Sequence, residues 1–336
     1  MITEPRLTLL MSAKAIDVLG ELVEGVLAGV PHKLVTPERL LSGSEPGGAD
    51  IAFLSRDVTA DSGKIQLAPS LTQYYEAMRA SPRLKWFQAH SAGADRPIFA
   101  EMIGKGVTVT TASGANATPV AQMAFLGALA LARKLPTLIE SQRNRRWEPF
   151  LGDRAPRDIA GQTAVVVGLG PIGLEVSRLL KAVNVRVIGI NRSGEPVDGV
   201  DETFAFTDLD RVLPGASIVV LACPLTDITR GLMNRCTLAL LPQGSLLVNV
   251  SRGEIVNQSE LIDALASNHL GGAFLDVFEH EPLDAESPLW TLPNVLVSPH
   301  TAGHTTGHYA EVGKIFLDNL RRWKDGQPLR NVVAAA

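Results

Sequence analysis

Cysteine is nearly absent: Cys223 and Cys236 are the only two among 336 residues. Two thiols cannot build the disulfide framework of a small secreted domain, and a reducing cytoplasm is the compartment that suits them. A surplus of positive charge is also missing. Lys and Arg number 31 against 35 Asp and Glu, giving a net charge of −4. The one basic cluster, "RNRRW" at 143–147, is short, so a nucleic-acid-binding surface is not expected. No apolar run is long enough to cross a bilayer. The most apolar window, "VAQMAFLGALALA" (120–132), is too short, carries Gln122 and reads as a buried helix. The opening "MITEPRLTLLM" pairs no basic region with a long apolar stretch, so no signal peptide is expected. Internal repeats are not visible.

What is there describes a soluble globular chain with room for two domains: 46% apolar residues, 20% charged, and Gly and Pro scattered throughout. Residues 7–110 alternate strand-like runs ("LTLLMS", "KLV", "DIAFLS", "LKWFQA", "VTVT") with helical ones, which predicts a parallel sheet flanked by helices. A helix over 117–135 and a Pro/Arg/Trp-containing stretch, 136–160, come next. A second series then places strands at 163–168, 185–190, 217–222, 245–250, 272–277 and 294–298. Six strands with helices between them suit a doubly wound dinucleotide-binding (Rossmann) domain, taken here as 117–298. The helix "TTGHYAEVGKIFLDNLRRWKDG", stopped at Asp325-Gly326, can return to the first half. The first domain is therefore expected to be discontinuous, 1–116 with 299–336, with a cleft between the halves.

"VVVGLGPIGLEV" sets Gly168, Gly170 and Gly173 in the G-x-G-x-x-G spacing between a strand and a helix. There the glycines serve a tight turn, close approach of backbone to pyrophosphate, and helix–strand packing. About 20 residues on, an acid holds the ribose 2′-hydroxyl in NAD-binding versions of the motif. Here the second strand ends in "GINRSG", so Asn191, Arg192 and Ser193 offer a guanidinium and a hydroxyl and no carboxylate. That set favours NADP, with NAD possible.

Three further side chains fall just beyond strand ends: Arg252 in "LLVNVSRGEIVN", Glu281 in "LDVFEHEPL" and His300 in "LVSPHTAG". The carboxyl ends of parallel strands form the ligand-binding edge of such a sheet. An arginine there can fix a carboxylate and polarise a carbonyl, and a histidine can deliver a proton as hydride arrives. A glutamate on the far ring nitrogen sets the tautomer and favours the charged ring.

These motifs, with "CPLTDITRGLMN" between them, resemble the D-isomer-specific 2-hydroxyacid dehydrogenases in order and spacing over nearly the whole chain. The resemblance implies a flavodoxin-like substrate domain beside the Rossmann domain. It implies Arg252 as substrate orienter, His300 as acid/base and Glu281 as its partner. It also implies Asp276 near the nicotinamide carboxamide and Cys223-Pro224 beside the adenosine. Pro171, Ile172, Val250, Arg252, His300 and Gly303 join the cofactor contacts. In "HSAGAD" (90–95), the backbone N–H groups of Ala92 and Gly93 would receive the substrate carboxylate, with Arg252 and His300 completing the substrate contacts. The Asn-Arg-Ser turn resembles the family's NADP-using branch, which points to glyoxylate or hydroxypyruvate as the small 2-oxo acid.

The same likeness implies a homodimer in which 136–160 crosses the two-fold axis and Trp147 reaches the partner. Gln122 stands where the family usually has glutamate, which changes local hydrogen bonding and not the chemistry. His300, His304 and His308 share a four-residue spacing, but His300 precedes the helix, so no metal site is expected and His308 is read as a helix-face residue. Formate-oxidising relatives carry glutamine beside the histidine, which Glu281 opposes. A dinucleotide-sensing regulator on the same fold is the alternative to an enzyme.

Overall fold

The computed structural model describes residues 7–45, 47–59, 67–94 and 96–333. Asp95 of the 90–95 turn and the first six residues, part of the segment weighed as a signal peptide, lie outside them. The chain divides into two compact units: residues up to Asn116 together with those from Thr305, and Ala117–His304. The first division falls between Asn116 and Ala117. The second comes after His304, not before Pro299, because Asp276 in the second unit holds the backbone N–H groups of His300, Thr301 and Ala302.

The first unit is a five-stranded parallel sheet ordered β2-β1-β3-β4-β5. Its strands are β1 (Leu7–Met11), β2 (His32–Val35), β3 (Ile51–Leu54), β4 (Trp86–Ala89) and β5 (Thr108–Thr110). Helices α1 (Ala13–Val26), α2 (Pro69–Arg79) and α3 (Pro97–Gly104) cover it. The two-residue strand period divides the core: Leu9 and Met11 pack with Leu19 and Val23 of α1, while Leu10 joins Leu71 and Tyr74 of α2 on the other face. The long C-terminal helix, α8 (His308–Lys324), packs against α1 and stacks Phe316 on Phe53 with centroids 4.3 Å apart. Gly326 ends it at φ +66°. His308, read from the sequence as a helix-face residue, is buried at the first position of that helix, its ring edge-on to His90 at 5.8 Å.

The second unit opens with α4 (Ala117–Ala132) and α5 (Leu135–Arg143), separated by Lys134 in the left-handed region. The 117–135 helix thus stops early, and the first part of the Pro/Arg/Trp-containing stretch is helical. Nor is α4 buried all round: Ala121, Ala124, Ala128 and Leu131 face the core, while Gln122 and Leu126 are exposed. Seven parallel strands follow: β6 (Thr163–Val167), β7 (Arg186–Asn191), β8 (Glu202–Ala205), β9 (Ile218–Leu221), β10 (Ser245–Asn249), β11 (Leu270–Leu275) and β12 (Val295–Val297). Their order, β12-β11-β10-β9-β6-β7-β8, reverses direction between β6 and β9, the doubly wound arrangement. The six expected strands are present. β8 is the addition, a short edge strand without a buried residue, paired to β7 from Ile188 opposite Glu202. Helices α6 (Pro171–Ala182) and α7 (Gln258–Ala266) lie among these crossovers.

Candidate active site

The glycine loop is built from collisions that only glycine avoids. Gly168 turns the chain at φ +98°, and a Cβ there would lie 2.6 Å from the backbone of Cys223. A Cβ on Gly173 would lie 1.8 Å from the Gly168 carbonyl oxygen, so α6 starts against the turn itself. Gly170 differs: it caps α6, and a Cβ would meet nothing. Two of the glycines therefore answer to the protein's own packing. The third leaves open space before the positive end of a helix dipole and its first free N–H groups. Pro171 is exposed at the first helical position and Ile172 is half-buried.

At the end of β7 a side chain organises the turn. Asn191 Oδ1 accepts the N–H groups of Ser193 at 3.1 Å and Gly194 at 2.6 Å, and its Nδ2 donates to Glu195 O at 3.0 Å. Arg192 and Ser193 are exposed, and Arg192 forms no ion pair among the described residues. Cys223 is buried, and burial pushes its thiol up to about 12, which leaves it inert as a nucleophile. Its carbonyl accepts the Ser251 hydroxyl, and the carbonyl of Pro224 accepts Thr229 Oγ1 at 2.7 Å.

Arg252, Glu281 and His300 follow β10, β11 and β12, three neighbours in the sheet. Asn249, 1% exposed, closes the first of these loops: Oδ1 accepts from Ser251 N–H at 3.1 Å and Nδ2 donates to Arg252 O at 3.0 Å. The Arg252 guanidinium donates to Ser251 O at 2.7 Å. Val250 beside it is buried. Gly253 then presses on the β11 loop, where a Cβ would sit 1.8 Å from the Phe278 carbonyl carbon. Phe278 in turn donates its N–H to Glu281 Oε1 at 3.1 Å, and Glu281 Oε2 lies 2.8 Å from His300 Nδ1. An imidazole whose Nδ1–H donates to a carboxylate has that tautomer fixed, which leaves Nε2 as the nitrogen able to take up or give up a proton.

The loop around His300 is tied just as closely. Asp276 Oδ1 accepts Ser298 Oγ at 2.6 Å and the N–H groups of Thr301 at 2.9 Å and Ala302 at 3.1 Å. Burial pushes the Asp276 pKa above the usual carboxylate range, and these donors act against that rise. Asp276 stands at the end of β11 as expected, yet its carboxylate is taken up by its own chain. Gly303 lies in the turn closed by His304 N–H on Thr301 O at 2.9 Å.

Ala92 and Gly93 belong to the first unit, half-buried in the bend after β4, where Ser91 Oγ donates to Gly93 O at 2.8 Å. Asn249, Gly253 and Ser298 escaped the sequence reading. The signal for Asn249 was present, since it is the one amide inside the apolar run "LLVNV".

Residues 125–302 match the model of the D-isomer specific 2-hydroxyacid dehydrogenase, NAD binding domain. The chain belongs to the D-isomer-specific 2-hydroxyacid dehydrogenase family. It is 32% identical over 261 residues to a glyoxylate reductase of Thermococcus onnurineus, covering 75% of this chain and 77% of that protein. To a glyoxylate/hydroxypyruvate reductase of Arabidopsis thaliana it is 30% identical over 258 residues, 77% and 79% of the two chains. A D-isomer specific 2-hydroxyacid dehydrogenase from Xanthobacter autotrophicus Py2, solved with NADPH and MES, superimposes with a TM-score of 0.74 at 30% identity over 98% of each chain. This dehydrogenase is accordingly an NAD(P)-dependent oxidoreductase, and the uncrowded Gly170 at the start of α6 is compatible with a dinucleotide pyrophosphate at that helix end.

The two glycines make a paired test. Gly173→Ala should destabilise the fold by about 1–3 kcal/mol through overpacking, read from urea midpoints. Gly170→Ala should leave those midpoints in place and weaken dinucleotide binding about tenfold or more, or about 1.4 kcal/mol, by fluorescence titration. Equal loss of stability in both would contradict the division of roles.

Proposed function

We propose that this dehydrogenase reduces a small 2-oxo acid, glyoxylate or hydroxypyruvate, to the D-2-hydroxy acid with NADPH as the preferred cofactor. The observation that carries the reading is the 2.8 Å contact of His300 Nδ1 with Glu281, on the sheet edge that also holds the glycine loop. The two glyoxylate-reducing relatives and the NADPH-bound neighbour support it. The first N–H groups of α6 would hold the pyrophosphate, and Arg192 with the Ser193 hydroxyl would take a 2′-phosphate. Bound, the reduced nicotinamide supplies the hydride. Arg252 pairs with the substrate carboxylate and polarises the carbonyl, fixing which face is presented. His300, its Nδ1 on Glu281, gives an Nε2 proton to the oxygen as negative charge develops there. Glu281 then faces a neutral ring and keeps its tautomer fixed.

A panel of 2-oxo acids assayed with each reduced cofactor tests this. Glyoxylate and hydroxypyruvate with NADPH should give the highest kcat/KM, and His300→Gln should lower kcat by about 100- to 10,000-fold. Arg192→Ala should reduce the NADPH preference about tenfold, the worth of one charge-assisted hydrogen bond. No turnover with any oxo acid would overturn the reading in favour of a dinucleotide sensor.

We also infer a homodimer in the cytoplasm. Leu135, Leu138 and Ile139 of α5 are exposed, as is Leu151 beyond it, and Trp147 is 96% exposed, an apolar face of the kind that subunits cover. Light scattering should give twice the chain mass, falling toward the single-chain value in Trp147→Ser/Leu138→Ser. A monomer in the unmodified protein would contradict it.

A further inference from the structure

His300 sits at φ +50°, in the left-handed region that residues other than glycine seldom occupy. Something must hold it there. Its own N–H donates to Asp276 O at 2.8 Å and Ser298 O at 3.0 Å. The residues on either side converge on one carboxylate: Ser298 through its hydroxyl from before, Thr301 and Ala302 through their N–H groups from after. Asp276 and Ser298 are 3% and 6% exposed, so neither loses these bonds to water. Ser298 is itself fixed, its N–H donating to Leu275 O at 2.9 Å.

We propose that Ser298 and Asp276 form a buried positioning pair that clamps the His300 backbone on both sides and so aims the imidazole for proton transfer. The proposal rests on His300 being the proton donor. Glu281 cannot do this alone. It grips the ring at Nδ1, whereas the point from which the ring departs is set by the backbone at 300. The Glu281 carboxylate is also partly exposed, while the Asp276 clamp is closed to solvent. A displacement of the ring by a fraction of its hydrogen-bond length is costly, since misplacement by about 1 Å lowers rates on the order of 100-fold.

The clamp also sets a pH dependence. Asp276 must be ionised to draw in three donors, and burial already raises its pKa. The titratable group whose charge acts on it is His300, from the loop it holds. Losing the Ser298 donor removes stabilisation of the charged form, so the Asp276 pKa rises further. Protonation then loosens the Thr301 and Ala302 contacts at a higher pH than in the unmodified enzyme.

Ser298→Ala in the full-length enzyme, loaded with NADPH and a saturating oxo acid, tests the pair. The expected result is a kcat lowered about 10- to 100-fold. The acid-side fall of kcat should move to higher pH, and the dinucleotide dissociation constant should stay within about twofold. Unchanged kcat, or a loss of kcat with the acid-side fall unmoved, overturns the proposal. Asp276→Asn provides a second variant, in which the acid-side fall assigned to Asp276 disappears. His300→Gln separates the two levels. If that variant is inactive and Ser298→Ala behaves as the unmodified enzyme, the clamp fails and the proton donor stands. If His300→Gln retains activity, the reading beneath the clamp fails.

Discussion

Parallel strands that all point one way deliver every C-terminal loop to one edge, and in the second unit those loops approach until only backbone separates them. Gly168 lies against Cys223, Gly173 against Gly168, and Gly253 against Phe278, each at a distance no side chain fits. Such contact leaves little freedom in the loops. Phe278 is thereby fixed where its N–H can orient Glu281, and Glu281 where it meets His300. The geometry of the site is thus inherited from the sheet more than from the reactive side chains themselves. That is the arrangement by which a rigid scaffold preorganises charge.

Two carboxylates near one imidazole are kept apart in role by their surroundings. Glu281 is partly exposed and touches the ring nitrogen. Asp276 is closed off and touches the backbone that carries the ring, with donors on it from three residues. In the proposed mechanism one acid addresses the proton inventory of the histidine and the other its place. Spacing in sequence could not separate them, since both stand just past the same strand, β11.

Much of this architecture was legible from residue patterns. Apolar runs of five or six residues bounded by glycine and polar turns gave both sheets, because a strand covered on both faces needs such a run. β8 was missed for the converse reason: Glu202–Ala205 is an edge strand with no buried residue to announce it. α5 was hidden by Pro136, which here occupies the first helical turn, where proline costs nothing. The unit boundary moved from 298/299 to 304/305 because the ties from Asp276 are invisible without coordinates. Arg252, Glu281 and His300 were findable from their places after strands. Asn249 stood out as the one amide in an apolar run, whereas Ser298 did not, since a buried hydroxyl declares its task only through its partners.

The central claim is that a charged imidazole, held by Glu281, supplies the proton during reduction. The pH dependence of kcat/KM for oxo acid reduction, followed beside that for oxidation of the matching D-hydroxy acid, bears on it most directly. On the basic side, reduction should lose about tenfold per pH unit once the ring deprotonates, while oxidation should gain over the same interval, since it requires the neutral ring. A reduction rate flat through that interval, or falling together with oxidation, would contradict the account.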